Sequence, residues 1–115
     1  MVEVLYTDEF EAWWGGLTDD QQDDVGAVVD ALAERGVGLR FPLSSAIKAS
    51  RVALRELRVQ SGGHPLRVLY AFDPKRQAVL LIGGDKTGRD RFYEEMVPRA
   101  EAIYEAYLRE TRQGR

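Results

Sequence analysis

The sequence of 115 residues is long enough for one domain and too short for two of ordinary size. Its composition, with 44% hydrophobic and 30% charged residues, is typical of a folded globular protein and excludes a disordered tail. The absence of cysteine excludes disulfide scaffolds, thiolate metal sites and cysteine nucleophiles. Because the sequence has no long uncharged apolar run, we expect no membrane-spanning helix, no secretory signal and a cytoplasmic location.

The formal net charge of −3 conceals an uneven distribution of charge along the chain. Residues 1–34 contain ten acidic residues and no Lys or Arg, whereas residues 40–91 contain eleven basic residues and only four acidic ones. A local basic surface of this kind can bind a polyanion even though the protein as a whole is acidic. Ordinary solvated faces would explain both blocks equally well, so charge alone does not assign a partner.

The first third of the sequence predicts a short strand and then an acidic helical hairpin over residues 8–36. The segment Val2–Tyr6 is rich in strand-forming residues. An apolar stripe at helical spacing follows, formed by Phe10, Trp13, Trp14 and Leu17. A capping box at Thr18–Gln21 predicts the start of a second helix, and Gly36 is suited to end it.

The remainder of the sequence predicts a sheet over residues 54–84 and a C-terminal helix over residues 90–112. Three strand-like segments joined by short turns are expected at 54–60, 66–73 and 78–84. Residues 37–50 are interrupted by Gly, Pro and Ser, and we expect them to be irregular.

The element order β-α-α-β-β-β-α predicts one α+β domain over residues 1–115. In this fold class we expect a twisted antiparallel sheet with the helices on one face and an open basic second face. Because successive side chains of a strand point to opposite faces of the sheet, the sequence predicts which polar residues share a face. If Leu57 and Val59 face the helices, Glu56, Arg58 and Arg67 converge on the open face.

Such a surface suits RNA cleavage by the neighbouring 2′-hydroxyl, which needs a base, cations around the phosphate and an acid for the leaving 5′-oxygen. Glu56 is the candidate base, because a carboxylate beside arginines stays ionised at neutral pH. Arg58, Arg67 and Lys86 are the candidates that hold the phosphate. Tyr93 could stack on a nucleobase or donate a proton. The alternative is that Glu56 only forms a surface ion pair with its arginines.

Other basic residues between positions 40 and 91 are candidate RNA contacts. With Arg58, they are Lys48, Arg51, Arg55, Arg89 and Arg91. His64 is the single histidine and lies in a Gly-rich turn, where we expect it to be exposed. The segment Gly83–Gly88 lacks the spacing of a nucleotide-binding P-loop. We expect neither a metal site nor a cofactor.

Four short motifs occur in a fixed order in the second half of the chain. They are Leu54-Arg-Glu-Leu-Arg58, Gly63-His-Pro-Leu-Arg-Val-Leu-Tyr70, Asp73-Pro74 and Gly83-Gly-Asp-Lys-Thr-Gly88. Together they resemble the HigB branch of the RelE/ParE superfamily, which comprises phage-derived, RelE-like toxins of type II toxin–antitoxin systems. The resemblance extends through nearly the whole chain and is strongest over residues 54–108.

This resemblance implies a small bacterial toxin that enters the ribosomal A site and cleaves mRNA as a metal-independent endoribonuclease. It also implies a cognate HigA-like antitoxin with a helix-turn-helix domain, through which alone the pair would contact operator DNA. Arg67 matches the strand arginine that such toxins place near the scissile phosphate. Lys86 or Arg89 matches a basic residue that these toxins have after the last strand. Tyr93 matches an aromatic residue that they have at the start of the C-terminal helix. Glu56 lies where RelE itself has lysines.

Two alternatives remain open at the level of sequence. A ParE-like inhibitor of DNA gyrase would need no catalytic residues, and an inactive protein of the same fold would act only as an interaction module. The basic face and the convergence of Glu56 with Arg67 favour the ribonuclease, because neither alternative requires them.

Overall fold

The computed structural model describes residues 1–113, so the last two residues of the predicted domain, Gly114 and Arg115, lie outside the described residues. The elements in chain order are β1 (Val4–Tyr6), α1 (Asp8–Gly15), α2 (Asp19–Arg35), β2 (Ser44–Ala46), β3 (Arg55–Ser61), β4 (His64–Phe72), β5 (Ala78–Asp85) and α3 (Phe92–Gln113). Every predicted element is present, with bounds within two residues of those expected. Within this described part, no helix combines the length and apolarity needed to cross a bilayer.

The five strands form one sheet in the order β1-β5-β4-β3-β2, and the predicted α+β class is confirmed. Strands β2 to β5 form an antiparallel meander as expected, but β1 pairs with β5 in parallel. The expectation of a wholly antiparallel sheet was therefore wrong. Strand β5 is apolar along most of its length, and β1 covers the backbone of its outer edge, with the Ala78 amide donating to the Glu3 carbonyl at 2.9 Å.

The helices pack on both faces of the sheet, so the expectation of one covered and one open face was also wrong. Helices α1 and α2 cover what we call the hairpin face, where side chains such as Val25 and Leu32 pack with Leu57 and Tyr70. Helix α3 covers the opposite face, which we call the α3 face and which includes Leu69, Val79 and Leu81. Because β5 is apolar at successive positions, both of its faces must be covered.

The local signals in the sequence act as predicted at the start of α2 and in the β3–β4 turn. The Gln21 amide donates to the Thr18 hydroxyl at 3.1 Å, and the Thr18 amide donates to the Gln21 side chain at 3.0 Å. In the turn, Gly62 and Gly63 have φ values of +55° and +82°, and Ser61 pairs with His64. Two successive positive φ angles are what a two-residue hairpin turn requires, which explains the Gly-Gly pair.

Residues 37–50 were expected to be irregular, but they contain the edge strand β2. This strand pairs with β3 so that Ser45 lies opposite Glu56. A strand of three residues is too short to produce a detectable alternation, which is why the sequence did not predict it.

The second half of α3 is fixed to the turn between β4 and β5. The Tyr104 hydroxyl donates to the Phe72 carbonyl at 3.0 Å, and the Tyr107 hydroxyl donates to the Asp73 carboxylate at 2.8 Å. Pro98 lies inside α3 and does not start it. These bonds hold the second half of the helix along the sheet.

Two adjacent glycines near the end of β5 allow a helix to approach each face of the sheet. A Cβ atom on Gly83 would overlap the ring of Trp13 from α1. A Cβ atom on Gly84 would lie 2.9 Å from the ring of Phe92 and 3.2 Å from Met96, both from α3. Side chains at these positions would force both helices away from the sheet.

The Gly83→Ala substitution should therefore lower the free energy of unfolding by about 1–3 kcal/mol, the usual cost of overpacking a core. Gly15→Ala is the matched control, because a Cβ atom there has nothing within 4 Å and should be neutral or slightly stabilising. Urea unfolding of the two variants measures both values. Equal stability of the two variants would contradict the proposed close contact with Trp13.

Candidate active site

Glu56 occupies the middle of β3 on the α3 face and is only 5% exposed. Its Oε1 atom accepts a hydrogen bond from the Tyr93 hydroxyl at 2.6 Å. Its Oε2 atom accepts one from the Ser45 hydroxyl at 2.8 Å. Both oxygens of the carboxylate are therefore held in place by neighbours from other elements, β2 and α3.

Arg58 and Arg67 flank this carboxylate from neighbouring positions on β3 and β4. The two arginines are directly cross-strand partners. The Arg67 Nε atom lies 3.7 Å from Oε1 of Glu56, and the Arg58 Nη1 atom lies 3.7 Å from Oε2. Like charges opposite each other in a sheet repel, and the Glu56 carboxylate between them offsets that repulsion. The predicted convergence of these three residues is confirmed, although it lies beneath α3 and not on an open face.

The guanidinium of Arg67 is buried, with only 7% of the residue exposed. Its Nη1 atom donates to the Leu66 carbonyl at 3.0 Å. Its Nε atom, by contrast, has no hydrogen-bond partner among the described residues. A buried charged donor without a hydrogen-bond acceptor is rare in proteins and costly, although here the Glu56 carboxylate lies close enough to form an ion pair with it.

Tyr93 and Lys86 complete the cluster at the start of α3. The neighbouring Phe92 ring is buried against Gly84, and this directs Tyr93 towards Glu56. The Lys86 Nζ atom lies 5.5 Å from the centre of the Tyr93 ring. Of the two basic residues that the sequence proposed here, the structure places Lys86 at the cluster.

The remaining predicted RNA contacts lie outside this cluster. Arg89 pairs with Glu95 at 2.6 Å, and Arg91 pairs with Glu94 at 3.0 Å. Arg55 lies on the hairpin face, where its Nε atom donates to the hydroxyls of Ser44 and Tyr70. Arg51 is bound by the carboxylates of Glu101 and Glu105, and Lys48 is exposed on the β2–β3 connection.

His64 is exposed, as expected, and its Nδ1 atom donates a hydrogen bond to the Asp85 carboxylate at 2.8 Å. His64 is the first residue of β4 and lies two positions before Leu66, so its side chain is on the same face of the sheet as Leu66. Because Leu66 lies on the hairpin face, His64 does not belong to the Glu56 cluster. Within residues 1–113, no group of three or more His, Asp or Glu side chains has the arrangement of a metal site.

Two residues of the site were missed by sequence reasoning. Ser45 holds Glu56 from β2, and Phe41 lies under the Arg58 guanidinium with its ring centre 5.0 Å away. Both belong to the segment that was expected to be irregular. Phe41 is 69% exposed, and an isolated aromatic in a loop was the one available signal.

The pKa of the Tyr93 hydroxyl is raised, first by burial and then by the hydrogen bond to the negative charge of Glu56. Arg67 opposes this shift but does not cancel it. Tyr93 therefore stays protonated at neutral pH and acts as a donor to the carboxylate. The cluster thus combines one carboxylate, one protonated phenol and three basic side chains, a set suited to phosphodiester chemistry.

The Glu56→Gln substitution should lower the pKa of Tyr93 towards its ordinary value, because it removes the negative charge that favours the neutral phenol. Ionisation of Tyr93 would then begin at a lower pH than in the unsubstituted protein. NMR titration of protein labelled at the tyrosine Cζ position measures this directly. Tyr107, whose pKa is raised by burial and Asp73, serves as the internal control and should not change. An unchanged Tyr93 titration would show that burial alone sets its pKa.

Comparisons with known proteins agree with the resemblance seen in the motifs. Residues 12–105 match the family described as "Phage derived protein Gp49-like (DUF891)". The chain is 36% identical over 104 residues to "Putative toxin HigB2" of Mycobacterium tuberculosis, covering 88% of this chain and 52% of that protein. It thus spans about half the length of this relative. It is also 36% identical over 107 residues to "Putative toxin HigB3" of the same organism, covering 91% and 92% of the two chains. The chain therefore belongs to the Gp49-like family of phage-derived proteins and is a homologue of the HigB toxins.

Proposed function

We propose that this protein is the toxin of a type II toxin–antitoxin system and acts as a ribosome-dependent, metal-independent endoribonuclease that cleaves mRNA in the A site. The names of its relatives support the toxin assignment. The observation that carries the nuclease proposal is the buried Glu56 carboxylate between Arg58 and Arg67, in contact with Tyr93. Nothing in the packing of the fold requires this cluster of charges, so a chemical role is the simpler explanation for it.

In the proposed reaction, the 2′-hydroxyl of the RNA loses its proton to Glu56. The resulting O2′ forms a bond to the adjacent phosphorus, the bond from phosphorus to the 5′-oxygen breaks, and a 2′,3′-cyclic phosphate is formed. The negative charge that builds up on the phosphate oxygens is stabilised by Arg58, Arg67 and Lys86. Arg58 and Arg67 line the same surface pocket, so their guanidinium groups are our candidates to bind those oxygens. These cations supply the positive charge that a metal ion supplies in other nucleases.

Tyr93 is our candidate for the acid that protonates the leaving 5′-oxygen. In the resting state, burial and the charge of Glu56 both raise the pKa of the Tyr93 hydroxyl and make it a poor acid. Once Glu56 has accepted the proton of the 2′-hydroxyl, that charge is neutralised and Tyr93 becomes more acidic. The acid would then be strengthened at the stage when the leaving group needs a proton.

The burial of the site favours a substrate that is held in place by a larger partner. Glu56 and Arg67 are only 5% and 7% exposed, so a substrate can reach them in few orientations. A flexible free RNA would lose much conformational entropy on adopting one of these orientations. The ribosome would supply an mRNA whose O2′, phosphorus and 5′-oxygen are already close to in line. We accordingly propose ribosome-bound mRNA as the substrate, and the cytoplasm as the place of action.

The partner that we propose is a HigA-like antitoxin with a helix-turn-helix domain. In this arrangement operator DNA binds only the antitoxin domain. The acidic α1–α2 surface, which contains most of the ten acidic residues of the first 34, disfavours direct binding of nucleic acid by the toxin at the hairpin face.

Expression of the toxin without an antitoxin should arrest bacterial growth by stopping protein synthesis first. Arg67→Ala should abolish this arrest, because loss of one contact to the developing phosphate charge costs on the order of 10²–10³ in rate. Arg109→Ala, an exposed arginine at the far end of α3, is the matched control and should remain toxic. Pulse labelling of protein and DNA synthesis decides between mechanisms. Earlier loss of DNA synthesis would favour the gyrase inhibitor, and a toxic Arg67→Ala variant would make this arginine structural.

Purified protein should cleave mRNA on programmed ribosomes and cleave free RNA poorly. Glu56→Gln should slow single-turnover cleavage on the order of 10²–10⁴, the usual contribution of a general base, while ribosome binding changes little. Tyr93→Phe should also slow cleavage, because it keeps the ring and removes the hydroxyl. Circular dichroism of both variants checks that they remain folded. A Glu56→Gln variant with the unsubstituted rate would leave Glu56 as an ion-pair partner of Arg58 and Arg67 only.

A further inference from the structure

A groove of about 690 Å³ opens beside the Glu56–Tyr93 hydrogen bond, between the β2–β3 connection and the first half of α3. Glu56 and Tyr93 themselves line it, so the groove is continuous with the candidate active site. Its volume falls within the range of about 300–1,000 Å³ that is usual for pockets that bind small molecules. The other residues that line the groove take no part in the proposed cleavage steps.

The walls of the groove are largely apolar. Ile47 and Ala49 contribute from the β2–β3 connection, and Val97 and Pro98 contribute from α3. Apolar surfaces of this kind can hold a planar nucleobase between them without specifying its identity. A charged or strongly hydrated ligand would lose more hydration here than the walls could replace.

The wall from the β2–β3 connection is held in position by Glu101. This carboxylate is 6% exposed and accepts hydrogen bonds from the Ser50 hydroxyl at 2.8 Å and the Arg51 amide at 3.0 Å. The Arg51 guanidinium binds it as well, at 2.9 Å. Because its bonds are satisfied by the connection, Glu101 serves to shape the groove and is not available to a ligand.

On α3, Glu94 lines the groove and offers it two acceptors, its main-chain carbonyl and its exposed carboxylate. Pro98 has no N–H group, so the main-chain carbonyl of Glu94 lacks the donor that residue i+4 supplies in a regular helix. The Glu94 carboxylate uses Oε2 to pair with Arg91, and within the described residues its Oε1 atom accepts no hydrogen bond. An arrangement of acceptors favours a ligand that presents N–H donors.

Lys48 is the cation that lines the groove. Its side chain is exposed, and among the described residues it forms no ion pair. It can therefore contact the phosphate of a nucleotide whose base lies in the groove.

We propose that this groove binds the nucleobase adjacent to the scissile phosphate and prefers bases with an exocyclic amino group, namely adenine, cytosine and guanine, over uracil. The amino group would donate to the free acceptors of Glu94. Uracil has its single ring N–H between two carbonyl oxygens, which would face those acceptors unfavourably. The proposal deepens the proposed function and rests on it for the identity of the substrate as RNA.

The first test is an NMR titration of methyl-labelled protein with AMP, CMP, GMP and UMP. The first three should shift the methyl resonances of Ile47 and Val97 and bind on the order of tenfold more tightly than UMP, as one base-edge contact predicts. Ala49→Trp should fill the groove and abolish these shifts. Ala53→Trp, at an exposed position of the same connection outside the groove, is the matched control and should bind as the unsubstituted protein does.

The second test maps cleavage sites on ribosomes programmed with mRNAs of varied sequence. The unsubstituted protein and Ala53→Trp should disfavour uracil next to the cut. Ala49→Trp, which fills the groove beside Glu56, should cleave more slowly and lose this preference. Arg67→Ala should abolish cleavage but keep the nucleotide shifts. Nucleotide shifts as predicted without any cleavage would support the groove and refute the nuclease. Cleavage with the same base preference in Ala49→Trp, or equal shifts of the Ile47 and Val97 methyls with all four nucleotides, would overturn the groove proposal.

Discussion

The contact between the Phe92 ring and the bare backbone of Gly84 determines where α3 lies, and the site depends on it. With no Cβ atom at Gly84, the first turn of α3 can approach β5 closely enough to bury Phe92 completely. The next residue, Tyr93, is thereby directed along the sheet to Glu56, with which it forms a bond of 2.6 Å. The packing of α3 against β5 therefore positions the hydrogen bond that α3 forms with β3, which lies two strands away in the sheet.

The charge arrangement on β3 and β4 is costly for the fold, which is why it is informative. Burying Glu56 and Arg67 removes both from water, and the separation of 3.7 Å between their charged atoms recovers only part of that cost. Ser45 and Tyr93 donate one hydrogen bond to each oxygen of the carboxylate, whereas the Nε atom of Arg67 has no hydrogen-bond partner among the described residues. Of the two charged groups, the cation is therefore the one with an unsatisfied hydrogen-bonding atom. A buried charged pair that is costly and incompletely satisfied is more typical of a functional site than of a packed core.

The sequence predicted the parts of the fold that depend on local chemistry. Side-chain alternation was enough to bring Glu56 together with Arg67, because both strands are long enough to keep a period of two. It did not predict that α3 would cover them, since the direction in which a helix packs is a tertiary property. The apolar run of β5 was the available signal for two covered faces. The short strand β2 left no periodic signal, so Ser45 could not be found.

The sequence left open whether Lys86 or Arg89 serves the site, and the start of α3 explains the outcome. Acidic residues are favoured in the first turn of a helix, where they complement the partial positive charge of the free amides. Glu94 and Glu95 occupy that turn, and Glu95 binds Arg89 at 2.6 Å while the guanidinium lies over the Phe92 ring. Arg89 is thus engaged with the helix terminus. Lys86 lies before the glycine-containing turn at Gly88 and remains beside the ring of Tyr93, so of the two residues the lysine is the one next to the candidate site.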